Sequence, residues 1–182
     1  MPHPPFLRQH LLVAAVVLGF GPVLSGCVPT DVPAGGSATG PQMTVPAARS
    51  YYGGHTFLSY DPGHGAQIEY LDPNGASFLW YPGNRAVLVG AWKLDGSYGG
   101  RPGICFRYGA NTYNPVTQAR GGDWDCVVGS FHALFVEERL VGDPFNLASG
   151  KLPYVLGKND HPASVAARKA GLPAGAIQSV PK

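Results

Sequence analysis

The sequence has few charged residues, and the two signs are nearly balanced. Asp, Glu, Lys and Arg make up 13% of the 182 residues, and the formal net charge is +2. That share is about half of what soluble proteins usually carry. Nucleic-acid-binding domains show a clustered excess of Lys and Arg, so the composition excludes nucleic acid as the expected partner.

Motifs that bind metals or phosphate groups are also missing. CxxC and HxxxH spacings are typical of zinc sites, and neither accompanies the three cysteines of this sequence. The glycine pairs at 99–100 and 121–122 do not belong to a phosphate-binding loop pattern. We therefore expect no metal site and no cofactor.

Glycine and proline are abundant instead. The chain has 26 Gly and 18 Pro, a composition at the edge of what disordered proteins show. It nevertheless has 45% hydrophobic residues, with 8 Phe, 3 Trp and 9 Tyr. A wholly disordered chain does not carry so much apolar side-chain mass.

The aromatic residues locate the packed part of the chain. Apart from Phe6 and Phe20, all of them lie between Tyr51 and Tyr154. Aromatic side chains contribute most to core burial, so we predict one small domain at 51–154. Residues 27–50, rich in Pro and Gly, are expected to be a flexible tether. Residues 155–182 are expected to be a tail.

Residues 1–26 have the layout of an export signal. Arg8 provides the positive charge, and residues 11–20 form an apolar stretch. A membrane span needs about 20 apolar residues, so this stretch is too short. The layout is typical of a cleaved signal peptide.

The end of this segment, Leu24-Ser25-Gly26-Cys27, resembles the lipobox of bacterial lipoproteins. The resemblance implies cleavage before Cys27 and attachment of lipid, palmitate included, to Cys27. In the lipoprotein sorting rule an Asp after the cysteine favours the inner membrane, so Val28 favours the outer membrane. We expect a lipid-anchored protein of the bacterial cell envelope, facing the periplasm or the surface. The alternative is an ordinary secretory signal with an incidental cysteine.

Short apolar stretches separated by turn residues predict an antiparallel β domain. Alternating or apolar segments predict strands at 56–60, 66–70, 76–81, 86–93, 104–108 and 124–128. Gly90, inside one of them, is interpreted as a bend or bulge. We expect a mainly β fold, an antiparallel meander curled into a small barrel or sandwich.

Residues 131–140 fit two patterns. Phe131, Ala133 and Phe135 alternate as in a strand, whereas Phe131, Leu134 and Phe135 also have helical spacing. We predict a strand here, with a helix as the alternative.

The tail contains one helical signal. Pro162 suits the first turn of a short helix at 162–170, and Gly171 suits its end. The tail has four basic residues and one acid, so contact with anionic lipid or polymer is one interpretation. We expect instead a solvated, frayed end.

Cys105 and Cys126 form an even pair once Cys27 is assigned to the lipid. They lie 21 residues apart on two predicted strands joined by a loop, and an exported protein folds in an oxidising compartment. We predict a disulfide between them. Two buried free thiols are the alternative.

Residues with catalytic potential are few. The domain's histidines are His55, His64 and His132, and Asp61 precedes His64 by three residues. A turn readily produces that spacing without any catalytic role, so we expect these histidines to be turn or surface residues. We assign no catalytic residue.

Tyrosines form the most prominent candidate binding face. They are Tyr51, Tyr52, Tyr60, Tyr70, Tyr81, Tyr98, Tyr108 and Tyr113. Such residues either stack against a sugar or peptide, or lie on strands with their hydroxyls in water. We expect the second arrangement for most of them.

Three motifs occur in the order G-x-W (Gly90 to Trp92), C-x-x-Y (Cys105 to Tyr108) and a later cysteine (Cys126). This order of motifs resembles that of uncharacterised small secreted bacterial β-domains. This resemblance spans residues 90–126. It implies the fold and the disulfide, and no activity.

Together these features favour a non-enzymatic envelope lipoprotein, held at the membrane by its N-terminal lipid, whose β domain binds an envelope protein or glycan. One alternative is an inhibitor of lysozyme-like enzymes, with loop 95–103 or 109–122 entering the enzyme's cleft. Small disulfide-bonded β-barrel lipoproteins can fill that role. A hydrolase using Asp61 and His64 is a further alternative, which requires His64 in a pocket within reach of a carboxylate.

Overall fold

The computed structural model describes residues 43–96 and 101–182, which belong to one compact unit. The predicted signal peptide at 1–26, Cys27 and the first part of the predicted tether lie outside the described residues. Tyr98 lies outside them as well.

Eight antiparallel strands form one sheet that curls into a half-barrel. The strands are β1 (His55–Asp61), β2 (Gly65–Leu71), β3 (Ala76–Trp80), β4 (Leu88–Asp95), β5 (Gly103–Tyr108), β6 (Asp125–Val128), β7 (Val136–Val141) and β8 (Ser179–Val180). Strands β1 to β6 pair in chain order, and β7 returns to pair with β1 and then with β8. The prediction of a mainly β, antiparallel meander is confirmed.

Three short α-helices flank the sheet: α1 (Val45–Tyr52), α2 (Gly129–Leu134) and α3 (Ala163–Lys169). A 3₁₀ turn spans Leu147–Ser149. Helix α1 begins where the Thr44 hydroxyl accepts the Ala47 N–H at 3.3 Å, an N-cap that satisfies one of the helix's free donors. It starts inside the predicted tether, so the packed part of the chain begins earlier than residue 51.

The strand prediction for residues 131–140 is wrong for its first part. Residues 129–134 form α2, and the strand starts at Val136. The helix turns His132 toward Tyr52 while Phe131 and Leu134 remain exposed. The apolar residues of this segment therefore do not mark its buried side. Their alternation, which predicted a strand, does not reflect burial.

One face of the sheet is covered by the C-terminal part of the chain. Leu58, Ile68, Trp80 and Leu140 project from it and are fully buried. The residues that cover them include Phe145, Leu147, Leu156, Ala163, Ala166 and Ala167. This surface is called the covered face below.

The tail is therefore part of the core, and the expectation of a solvated, frayed end is wrong. The predicted helix at 162–170 is present as α3, with Pro162 at its N-cap. A Glu138 carboxylate oxygen accepts the Ala163 N–H at 2.6 Å, which ties α3 to β7. Aromatic content did not detect this packing because Leu156 and the alanines of α3 supply the tail's contacts instead.

The opposite face is only partly filled. Tyr52 of α1 packs against Phe57, Trp92 and Ile104, and all four are buried. Alternation along the strands also places Glu69, Ser77 and Tyr108 on this face, together with Phe106, which packs against the cluster around Tyr52. We call this surface the cavity face.

Candidate binding site

A cavity of about 740 Å³ occupies the part of the cavity face that α1 leaves open. Its volume lies within the range of small-ligand sites. Strands β2 to β6 supply its floor: Gln67, Glu69, Leu79, Leu88, Phe106, Tyr108 and Asp125. The walls come from the segment after β3 and the loop after β5: Tyr81, Pro82, Gly83, Asn84, Asn111, Thr112, Tyr113, Asn114 and Pro115.

Glu69 is the half-buried polar centre of the floor. The hydroxyls of Ser77 and Tyr108 both donate hydrogen bonds to its Oε1 atom. Those two hydroxyl oxygens are 3.2 Å apart. Oε2 has no hydrogen-bond partner among the described residues, so it is the atom of this carboxyl group that remains for a ligand.

Gly90 allows this arrangement. Tyr108 on β5 is paired with Gly90 on β4, which is paired with Ser77 on β3. A Cβ atom at Gly90 would lie 2.7 Å from Cδ1 of Tyr108. The tyrosine ring therefore lies over the glycine and reaches Ser77 and Glu69. A glycine within a strand marks a site of close approach, and the expectation of a bend or bulge at Gly90 is replaced by this contact.

Burial sets the protonation behaviour of this group. Burial raises the pKa of Glu69, and the hydrogen bonds from Ser77 and Tyr108 oppose that rise. Burial also raises the pKa of Tyr108 well above its usual value, and the neighbouring Glu69 raises it further. Tyr108 is therefore a hydrogen-bond donor at every physiological pH.

The loop at 109–122 is an ordered wall. The Asn114 side-chain oxygen accepts the N–H groups of Val116 and Thr117 at 2.9 and 3.1 Å. A bridge between Tyr113 and Arg120 closes the loop into a hairpin. Because these contacts brace it from within, the loop holds Tyr113 at the edge of the cavity.

Asp61 and His64 lie near the cavity but do not form an acid–base pair in this structure. Asp61 Oδ1 accepts the backbone N–H groups of Gly63 and His64 at 2.8 and 3.0 Å. These bonds, that to His64 first, lower the pKa of Asp61. The His64 imidazole Nδ1 lies 2.8 Å from the hydroxyl of Tyr81 instead. The geometry that the hydrolase alternative requires, an imidazole on a carboxylate, is not found for this pair.

His132 and His55 do not line the cavity, although the His132 ring packs against Phe106 of its floor, with ring centroids 5.6 Å apart. The Tyr52 hydroxyl donates to the Gly129 carbonyl at 2.8 Å and lies 3.2 Å from His132 Nδ1. Burial lowers the pKa of His132 from 6.5 to about 4. Burial also lowers the pKa of His55, whose Nδ1 contacts the Gly53 carbonyl. His132 thus joins α2 to α1 and is not the turn or surface residue that we expected.

The disulfide between Cys105 and Cys126 is present, joining directly paired residues of β5 and β6. It closes the segment that contains the 109–122 loop. Cys27 and the lipobox lie outside the described residues, so lipid attachment remains a prediction.

The tyrosines divide between the two arrangements that we considered. Tyr81, Tyr108 and Tyr113 line the cavity. Tyr52 is fully buried in the α1 core, and Tyr60 stacks on His161 with ring centroids 4.2 Å apart. No single surface collects all of the described tyrosines, but the cavity collects three.

Two other surface features are prominent. Phe131, Leu134 and Phe135 form an exposed apolar patch at α2. On the covered face, beyond the C-terminal segment, Lys93 Nζ and Arg107 Cζ lie 4.5 and 4.7 Å from the Trp124 ring centroid. None of these six residues lines the cavity.

Within residues 43–96 and 101–182, no group of three or more His, Cys, Asp or Glu residues is placed to hold a metal ion. No helix in the same residues is long and apolar enough to cross a membrane. Comparison of the chain with protein-family models, with curated proteins and with solved structures gave no match.

Sequence reasoning missed Glu69 as a site residue. Gln67 and Glu69 are polar residues at alternate positions of a strand, which is the usual pattern of a solvent-facing side. The only sequence signal of a different role was Gly90, a glycine in an apolar strand. A glycine at this position does not indicate which residue packs against it.

Proposed function

We propose that this chain is a lipid-anchored protein of the bacterial cell envelope whose β domain binds a glycan in the cavity, without catalysis. The observation that carries the proposal is the cavity, in which aromatic rings alternate with amide and carboxyl groups. Apolar surface with a few convergent polar groups is the usual character of a ligand site. Sugar rings offer an apolar face and a rim of hydroxyl groups, which match these two kinds of lining.

The anchor rests on Leu24-Ser25-Gly26-Cys27 and the apolar stretch before it. Lipid on Cys27 would join the domain to the membrane, since residues 28–44 connect that cysteine to α1. Several acyl chains give stable anchoring, whereas one gives only marginal binding. Val28 favours the outer membrane.

Tyr113 offers a direct test of glycan binding. Tyr113 and Phe131 are both 54% exposed, but only Tyr113 lines the cavity. We expect Tyr113→Ala in the full-length protein to weaken binding of envelope oligosaccharides about five-fold or more, because an aromatic contact contributes on the order of 1 kcal/mol. Phe131→Ala is the matched control and should leave the affinity unchanged. Equal losses in both variants, measured by calorimetry, would refute the cavity as the binding site.

A protein segment in the same cavity is the competing occupant. The ligand would be a protein if an envelope protein binds, if oligosaccharides fail to compete with it, and if Tyr113→Ala abolishes its binding. The protein would then replace the glycan in this proposal. The lipid anchor is tested independently of either ligand.

Inhibition of a lysozyme-like enzyme is a second candidate function, favoured by the 109–122 loop. This loop is braced internally and exposes Tyr113 and Val116. A rigid projecting loop can enter an enzyme cleft without a large ordering penalty. The full-length protein would then inhibit lysozyme turnover, and Val116→Asp would relieve the inhibition.

A further inference from the structure

The cavity has an acidic and aromatic lining. Among the described residues that form it, Glu69 and Asp125 are carboxylic acids, and none is Lys, Arg or His. Arg120 belongs to the wall loop, but its guanidinium lies over the Tyr113 ring, 5.9 Å from the centroid. A ligand with carboxylate, sulfate or phosphate groups would meet like charge here, whereas a cationic ligand would meet attraction.

One atom is placed to receive a cation. Ser77 and Tyr108 both donate to Glu69 Oε1, and Oε2 is left without a partner among the described residues. A carboxylate accepts charge-assisted hydrogen bonds well, and an ammonium group supplies up to three donors. Because the two hydroxyls fix the carboxyl group, Oε2 is preorganised for such a donor.

The surrounding groups suit the rest of a sugar ring. Phe106, Tyr81 and Tyr113 offer aromatic faces, which attract cations and stack against apolar surfaces. Three side-chain amides of the lining, Gln67, Asn84 and Asn111, provide donors and acceptors for hydroxyl groups. Asn114 adds only its NH₂ donors, because its side-chain oxygen accepts the Val116 and Thr117 N–H groups. A lysine side chain would use the carboxylate and leave most of these amides without a partner. The lining therefore favours an amino sugar over a peptide.

We infer that the glycan bound in this cavity contains a free, protonated amino sugar, with Glu69 Oε2 as the acceptor for its ammonium group. This inference rests on the proposed function and specifies its ligand. Asp125 adds negative charge at the other side of the floor. An N-acetylated sugar has no ammonium donor, so acetylation of the same ring removes the interaction.

The test compares two ligands that differ only in acetylation. Calorimetric titrations of the full-length protein use a glucosamine trisaccharide and its N-acetylated counterpart, with trilysine as a third ligand. We expect the free-amine sugar to bind at least about ten-fold more tightly than the acetylated sugar, because acetylation removes a charged hydrogen bond. Glu69→Gln should abolish this preference, so that the variant binds the free amine and the acetylated sugar with similar affinity. Glu137→Gln, on an exposed carboxylate that contacts His161, is the matched control and should keep it.

The outcomes separate this inference from the proposed function. Equal affinity for the two sugars, both weakened by Tyr113→Ala, overturns the amine assignment and leaves glycan binding in the cavity intact. Tighter binding of trilysine than of the amino sugar also overturns it, in favour of a peptide. Absence of binding by all three ligands refutes the inference. Cleavage of either sugar, detected by mass spectrometry, would contradict binding without catalysis.

Discussion

The hydroxyl of Tyr108 on β5 donates a hydrogen bond to Glu69 on β2, although strands β3 and β4 lie between them. Gly90 makes this contact possible because the tyrosine ring lies where a side chain on β4 would otherwise be. The polar centre of the cavity thus depends on a residue that has no polar group of its own.

Gly90→Ala should disrupt this centre. The new methyl group would lie 2.7 Å from the Tyr108 ring and from the Arg107 carbonyl oxygen, so the ring must move. Overpacking of this kind lowers the free energy of unfolding by about 1–3 kcal/mol. Urea denaturation measures the change. Gly96→Ala, where the methyl group would lie 3.5 Å from a methyl group of Val45, an ordinary van der Waals contact, is the control and should have little effect. Equal stability of Gly90→Ala and the wild type would contradict the packing described.

Glu69→Gln should alter how stability depends on pH. Burial raises the pKa of Glu69 above its usual 4.5, so the folded state binds this proton more tightly than the unfolded state. The associated stability is present at low pH and is lost as the pH rises through the folded-state pKa. Relative to the wild type, the variant should therefore gain stability between pH 4 and pH 8. Urea midpoints at those two pH values check this, and a constant difference would refute it.

His132 should contribute a pH dependence of the opposite sign. Burial lowers the pKa of His132 from 6.5 to about 4, so the unfolded state binds its proton first as the pH falls. Stability from this group is present above pH 6.5 and is lost toward pH 4, by at most about 3 kcal/mol. His132→Gln keeps a donor for Tyr52 and should flatten the stability curve over this interval. An unchanged slope, after allowing for His55, would show that His132 is not buried as described.

Removal of the disulfide should weaken both the fold and the site. The Cys105–Cys126 bond joins two residues 21 positions apart in the sequence and closes the segment that includes the wall loop. A cross-link over a loop of this size stabilises by roughly 3 kcal/mol. The double variant Cys105→Ala, Cys126→Ala should lose about that free energy of unfolding. Sugar affinity should fall with it, since the loop then keeps only its internal hydrogen bonds and the β5–β6 pairing at its base. Full affinity in the double variant would show that the binding site does not need the disulfide.

Lipid attachment should depend on Cys27 alone. Cells that express the full-length protein and receive a palmitate analogue should label the wild type and the Cys105→Ala, Cys126→Ala variant. Cys27→Ala should lose the label, because the lipobox has no other thiol. Unchanged labelling of Cys27→Ala would refute lipid attachment at Cys27.

The strands were predictable because their residues alternate or form short apolar segments between turns. Ile68 and Tyr70 of β2, and Ile104 and Phe106 of β5, are such cases. The disulfide pair was predictable because the two cysteines lie on strands joined by one loop.

The remaining features depend on contacts that local patterns do not encode. Alanines of α3 form part of the core without any aromatic residue nearby in the sequence. Phe131 and Leu134 stay exposed on α2, so their spacing does not mark a buried side. Glu69 resembles a solvent-facing residue until the register places Tyr108 across from it.

The central claim is that the cavity face binds the ligand. A ¹H–¹⁵N NMR titration of the full-length protein in detergent micelles with the glucosamine trisaccharide tests it most directly. We expect chemical-shift changes concentrated at Gln67, Glu69 and Tyr113, which saturate with one ligand per chain. Changes confined to the Phe131 patch or to Trp124 on the opposite face, or no changes at all, would contradict it.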